Sequence, residues 1–312
     1  MGLPRLSMNV SPNKKDIQDI AIELSTEPVF LEKDWHVSRI VDALSHLKDD
    51  NFTIVFCGGT SLLQGHRLIN RFSEDADFRI INKDGKKISR KELRDFREKI
   101  LEELAKIPDL KILEDTFVSR DNSRFFSTMI KYENRFGDHS SLRPEIKIDC
   151  TFADHYLPGI ELRTIKPIIG DYLSMNSASI DCLSLAETTI DKASALIWRV
   201  SGRDRNDPDD DKTMIRHLHD LHPLLGIPGQ DLNSIKKNLI STYAIDHKKR
   251  GSPGNADLSI AANKVLHILN TDQEYRDEYE NFVINMCFGS RDQRITYDMA
   301  LERFGILVES LQ

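Results

Sequence analysis

The chain has 312 residues, 39% hydrophobic and 30% charged, with a formal net charge of −7 at pH 7. That length suits one large domain or two modest ones with a sizeable core, and the negative balance argues against a protein that coats nucleic acid indiscriminately. There is no apolar run of roughly eighteen residues, the length a membrane-spanning helix needs. Residues 1–15 lack the apolar core of a secretory signal. Cys57, Cys150, Cys182 and Cys287 are scattered and form no Cys-x-x-Cys pair, so reduced thiols in a cytoplasmic protein with no membrane contact are expected.

In chain order, residues 13–24 and 27–47 carry helical apolar periodicity, the second through Val29, Ile40, Ala43, Leu44 and Leu47. Glu32-Lys33-Asp34-Trp35 lies inside that second helix, where a Trp among charges is ordinarily a partly buried anchor. Phe52–Cys57 is apolar and β-branched, the length of a buried strand. It stops at Gly58-Gly59, followed by Thr60-Ser61 and an apolar helical stretch through Leu62, Leu63 and Leu68. A strand, a Gly-Gly turn and a helix N-terminus expose backbone N–H groups with no Cβ in the way, which suits a phosphate. Arg71-Phe72-Ser73-Glu74-Asp75-Ala76-Asp77-Phe78 then runs into a second strand over 76–82. Residues two apart on a strand share a face, so Asp75 and Asp77 project side by side. Paired carboxylates repel unless a cation sits between them, and Mg²⁺ takes one or two carboxylates together with substrate phosphate oxygens. The plain alternative for Asp-x-Asp is a solvated strand edge.

Lys83, Lys86, Lys87, Arg90, Lys91, Arg94, Arg97 and Lys99 follow directly, and Lys248-Lys249-Arg250 form a second basic group. Each reads either as solvated surface or as an RNA-facing rim. Ser89-Arg90-Lys91-Glu92 is a capping box opening a helix through Leu93, Phe96, Ile100, Leu104 and Ile107. Phe125–Tyr132 and Glu145–Phe152 read as strands, and 160–169 adds another that Pro167 ends. In the Glu145–Phe152 strand Glu145, Lys147, Asp149 and Thr151 face one way. Taken alone, that set reads as the polar outer face of an edge strand. From about residue 183 the pattern is helical, opening with Ser184-Leu185-Ala186-Glu187 as another capping box. A lysine such as Lys192 on that amphipathic helix is, without context, solvent-facing. His217, His219 and His222 are poorly spaced for zinc, since His217 points away from the face the other two share. Residues 231–312 read as helical, with stripes over 260–269, 274–287 and 297–311.

GGTSL followed by R-F-S-E-D-A-D-F resembles the GG[ST] and D-x-D signature of nucleotidyltransferases, and in this form the AbiEii/AbiGii toxin family of type IV toxin–antitoxin systems. An E-K-D-[WY] segment before the glycine turn recurs in that family. So does E-x-x-x-x-K-x-x-A-x-x-x-R, matched by Glu187, Lys192, Ala195 or Ala193, and Arg199, with R-D-x-x-D-L matched at Arg216–Leu221. His217 stands where the family commonly has Asp. The resemblance implies an α/β (α+β) chain: a nucleotidyltransferase-like mixed sheet flanked by helices over 1–180, then a helical domain over 181–312 that contributes Lys192 and Asp220 to the site. It implies that Gly58, Gly59, Thr60, Ser61, Ser73 and Lys192 hold phosphates, that Asp75, Asp77 and a third carboxylate, Asp149 as first candidate and Glu145 as second, hold Mg²⁺ (or Mn²⁺), and that Asp220 orients Lys192 or the substrate. It further implies transfer of a nucleotide from an NTP to an RNA acceptor, tRNA foremost, with arrest of translation, a role in phage defence and restraint by a separately encoded antitoxin. A nucleotide-binding regulator without turnover, and a metal-dependent phosphodiesterase or nuclease, are the rival readings.

Overall fold

A computed structural model describes residues 7–85, 87–153, 159–208, 210–250 and 255–312. Lys86 and residues 209 and 251–254 lie outside them, as do the side chains of Lys249 and Arg250. The chain divides into two compact units, Met1–Leu183 with Phe288–Ser290, and Ser184–Cys287 with Arg291–Gln312.

The first unit is built on a seven-stranded sheet. Its elements are helices α1 (Lys14–Glu23) and α2 (Pro28–Ser45), strand β1 (Phe52–Cys57), helix α3 (Gly58–Gln64), β2 (Asp75–Asn82), α4 (Arg90–Ala105), β3 (Leu110–Arg120), β4 (Phe125–Tyr132), β5 (Ile146–Ala153), β6 (Ile160–Ile165) and β7 (Ala178–Leu183). Strand order is β3-β4-β5-β2-β1-β7-β6. β2 runs parallel to β5 and β1 parallel to β7, while the other neighbours are antiparallel, so the sheet is mixed.

Alternation sorts the two faces. Ala76, Phe78 and Ile80 of β2, Ile146, Ile148 and Cys150 of β5, and Ile54 and Phe56 of β1 enter one large core. Val37, Ile40, Val41 and Leu44 of α2 cover it, together with Leu93, Phe96, Ile100 and Leu104 of α4. The other face carries a smaller cluster of Val55, Cys57, Ile81 and Leu183. Asp75, Asp77 and Asp149 fall on this second face, half-buried, each alternating with a buried apolar neighbour. The basic residues of α4 therefore ride a helix on the sheet face away from the carboxylates. Nearness in sequence does not make them a rim around the carboxylate face.

The second unit is helical: α5 (Leu185–Ser201), α6 (Arg216–Leu225), α7 (Leu232–Arg250), α8 (Leu258–Thr271), α9 (Gln273–Met286) and α10 (Tyr297–Ser310). Side-chain oxygens cap five of them among the described residues, with Ser184, Asp231, Asp257, Asp272 and Thr296 each accepting from a first-turn N–H. Arg203 is 4% exposed in its side chain and bonds two carboxylates at once, Asp210 at 2.7 Å and Glu278 at 2.6 Å, tying the loop after α5 to α9. Among the described residues no helix is long and apolar enough to cross a membrane. All four cysteines are buried, and none is in a disulfide.

Two strands escape the pattern of the sequence. β3 is an edge strand whose register shifts between Leu113 and Val118 and whose residues are nearly all exposed or half-exposed. β7 interleaves Ser179 and Asp181 with small apolar residues directly before α5.

Candidate active site

Strand register brings the carboxylates together. Asp77 of β2 lies opposite Asp149 of β5 in the parallel pair, and Asp75 sits one alternation earlier on the same face, opposite Lys147. Glu145, the second candidate for the third position, precedes β5 and has no partner in the register. Each outer carboxylate meets a cation: Arg143 Nη1 donates to Asp75 Oδ1 at 3.0 Å, and Lys147 Nζ to Asp149 Oδ2 at 2.6 Å. Asp149 Oδ1 is buried without a hydrogen-bond partner. As placed, no three His, Cys, Asp or Glu side chains among the described residues converge closely enough to hold a metal ion. The donor set nevertheless fits one. Three carboxylates on one face are hard oxygen ligands of the kind Mg²⁺ takes, and the orphaned oxygen of Asp149 is an acceptor that no N–H or O–H serves.

The glycine turn closes against this face. Gly58 has φ +76°, the left-handed region, and a Cβ there would lie 2.1 Å from Asp77 Oδ2. A Cβ on Gly59 would lie 2.6 Å from Arg71 Nη2 and 2.8 Å from Ser73 Oγ. Glycine is thus required twice over, by backbone conformation at Gly58 and by close approach at both positions. Thr60 and Ser61 do not offer their side chains outward. The Thr60 hydroxyl donates to the Asp75 carbonyl at 2.5 Å, pinning α3 to β2, and Ser61 is 2% exposed, its hydroxyl beside the Cys182 thiol. Packing α3 onto the sheet turns both hydroxyls inward, so the turn presents its main chain.

Glu32, Lys33, Asp34 and Trp35 are all at most 3% exposed. Each clamps a different piece of chain. Glu32 takes Arg135 through its backbone N–H (3.0 Å) and Nε (2.5 Å). Lys33 donates to Glu74 Oε2 at 3.2 Å and to the Arg143 carbonyl at 2.6 Å. Asp34 accepts from Gln64 Nε2 at 2.8 Å and from the Ile168 N–H at 2.7 Å, and Trp35 Nε1 reaches the Met8 carbonyl at 2.9 Å. Burial raises the Asp34 carboxyl to about 6. Burial also works against Glu74 ionising, but Lys33 and the Arg143 N–H bring its carboxyl below the usual range.

In the helical unit, Lys192 of α5 is 6% exposed, contrary to a solvent-facing lysine. Its Nζ lies 2.6 Å from Asp220 Oδ2 on α6, and the Asp220 side chain is fully buried. His219 Nδ1 is 3.6 Å from Asp220 Oδ1, and its Nε2 faces Cys287 Sγ at 3.6 Å. Both ring nitrogens of His217 are out of solvent without a hydrogen bond, and burial together with the charge of Lys192 pulls its pKa well below the usual value. A neutral imidazole therefore stands where the related pattern has a carboxylate. Sequence reading did not find Arg143, Lys147 or Glu74; only the E-K-D-W charges within an apolar stripe signalled that buried partners exist.

Residues 39–303 match the model of the AbiEii family, described as nucleotidyl transferase AbiEii toxin of type IV toxin–antitoxin systems. Among solved structures, MenT4, a nucleotidyltransferase toxin of Mycobacterium tuberculosis H37Rv, is similar in fold: TM-score 0.63 at 16% identity, covering 96% of this chain and 90% of that one. No curated protein matches the sequence.

Proposed function

The chain belongs to the AbiEii family of nucleotidyltransferase toxins of type IV toxin–antitoxin systems, and from that premise we propose that it is a divalent-metal-dependent enzyme transferring a nucleotide from an NTP to an RNA, tRNA foremost, and so arresting translation. The observation that carries the metal-dependent step is the register of β2 and β5, which sets Asp77 beside Asp149 with Asp75 on the same face.

Asp75, Asp77 and Asp149 would hold the metal, Mg²⁺ or Mn²⁺. When bound it supplies Lewis acidity at the α-phosphate and neutralises the charge that grows on the leaving pyrophosphate. The main chain of Gly58 and Gly59, with Ser73 beside it, receives the phosphates and keeps their oxygens against the carboxylate face. Asp149, bonded to Lys147, accepts the proton of the attacking RNA hydroxyl. Lys192 takes negative charge on the triphosphate, and Asp220 fixes its ammonium group. Stranding Asp220 inside the protein would be costly, so the pair holds the lysine in place. A regulator without turnover has no need of a third carboxylate in register, and a nuclease predicts shortened RNA.

The cellular reading is tested by expressing the wild-type chain without an antitoxin. Growth should stop, pulse-labelled protein synthesis should fall before RNA synthesis, and tRNA should run longer by one or a few nucleotides. Unaffected growth would contradict the toxin reading, and arrest with unaltered RNA would move the acceptor to protein.

A further inference from the structure

The 133–145 connection between β4 and β5 is held by consecutive residues of α2. Glu32 grips Arg135 near its start, and Lys33 grips the Arg143 carbonyl near its end. Glu74 completes the hold by accepting from the Arg143 N–H at 2.9 Å. Both main-chain groups of Arg143 are thus committed to a Lys33–Glu74 pair whose side chains are 2% and 25% exposed. Burying an ammonium group carries a desolvation cost of several kcal/mol, and here the result is that a single side chain is delivered to one place. That side chain is a guanidinium, 37% exposed, making a single hydrogen bond to Asp75. Four of its five N–H donors remain. Consecutive residues divide the work: Glu74, just before β2, fixes the Arg143 backbone, and Asp75, the first residue of β2, meets its head.

A surface ion pair with one contact contributes about 0–1 kcal/mol, too little to explain so much anchoring. A planar fork with free donors beside a metal-binding carboxylate suits phosphate oxygens, which guanidinium binds in bidentate fashion. We propose that Arg143 is a triphosphate-binding residue of this site, standing as counter-cation to Asp75 in the free protein and moving to the phosphate oxygens of a nucleoside triphosphate when Asp75 turns to the metal. The inference rests on the nucleotidyltransferase reading and extends it to a residue outside the sequence motifs. Arg143 then has two opposing effects: it competes with metal for Asp75 and it assists the nucleotide.

The test is calorimetry on the full chain, wild type against Arg143→Ala, with two separate titrants. For Mn²⁺ without nucleotide, Arg143→Ala should bind severalfold more tightly, because Asp75 has lost its competing cation. For ATP, GTP, CTP and UTP in Ca²⁺, which avoids turnover, the nucleotide that binds wild type should bind the variant about 10- to 100-fold more weakly, the range expected for charge-assisted hydrogen bonds. The melting temperature should hardly move. Weaker binding of both titrants would make Arg143 a structural prop and overturn the proposal, as would unchanged nucleotide affinity. A wild-type chain that binds none of the four NTPs would instead defeat the transferase reading itself.

Discussion

The pair formed by Lys192 and Asp220 allows a stability argument to be worked through. Both side chains are almost out of solvent, at 8% and 0% exposure, with 2.6 Å between Nζ and Oδ2. Truncating either partner leaves the other charged and buried, which costs about 3–5 kcal/mol. Lys192→Ala and Asp220→Ala should each lose that much. With a urea slope of about 2 kcal/mol per molar, the midpoint falls by about 1.5–2.5 M. The double variant Lys192→Met/Asp220→Leu removes both charges, keeps the volume and should regain most of the loss. Trp198 lies in α5 and Trp35 in the sheet unit, and the chain has two tryptophans. A Trp35→Phe background therefore lets fluorescence follow the helical unit alone. Single-variant losses below about 1 kcal/mol, the range of exposed pairs, would refute the reasoning. So would a double variant no more stable than the singles. The double variant also separates two roles: folded yet inactive, it would place the function of Lys192 in its charge.

Two further outcomes are expected. Gly58→Ala puts a methyl 2.1 Å from the Asp77 carboxylate at a φ of +76°; it should destabilise by about 1–3 kcal/mol and abolish activity, measured by urea unfolding and NTP turnover, whereas a fully active variant would mean the turn does not abut the site. His36 is held neutral, its pKa lowered to about 3 by burial and the nearby guanidinium of Arg39. Below pH 6.5 the unfolded chain gains a proton that the folded chain does not, so stability present at pH 7 is lost as pH falls, by about 2 kcal/mol at pH 5 for this group. His36→Gln should show a shallower loss between pH 7 and pH 5 in the same unfolding measurement, and an identical slope would remove His36 as the cause.

Much of the site was legible because a strand fixes its side chains by alternation. Asp75 and Asp77 could be put on one face from spacing, and Gly58-Gly59 read as a turn because a strand ended there. Asp149 could be placed on a polar strand face, but its position opposite Asp77 depends on β5 pairing parallel with β2, which spacing does not specify. Lys33 marks the limit. It falls on the buried stripe with Val29, Val37 and Ile40, a charge where burial demands a partner. That signals a buried ion pair but not which of the chain's acidic residues completes it. Glu74 lies 41 residues away and Arg143 110 residues away, joined to it by folding alone. The burial of Lys192 was hidden for a similar reason: amphipathicity turns a lone lysine outward unless a second helix brings a carboxylate to it. The face taken by the basic run on α4 was not legible, since a helix following β2 can pack on either face of the sheet.

The most direct measurement incubates the purified chain with each α-³²P-labelled NTP and total cell RNA, with Mg²⁺ or with chelator, beside Asp77→Asn. Asp-to-Asn on this half-buried polar face is nearly isosteric, so the variant should fold with its melting temperature within a few degrees of wild type while losing one metal-binding charge. Label should enter RNA with release of pyrophosphate, require the metal, and disappear with Asp77→Asn. RNA that shortens without taking up label, NTP bound without pyrophosphate release, or wild-type turnover in Asp77→Asn would contradict a nucleotidyl transfer carried by these carboxylates.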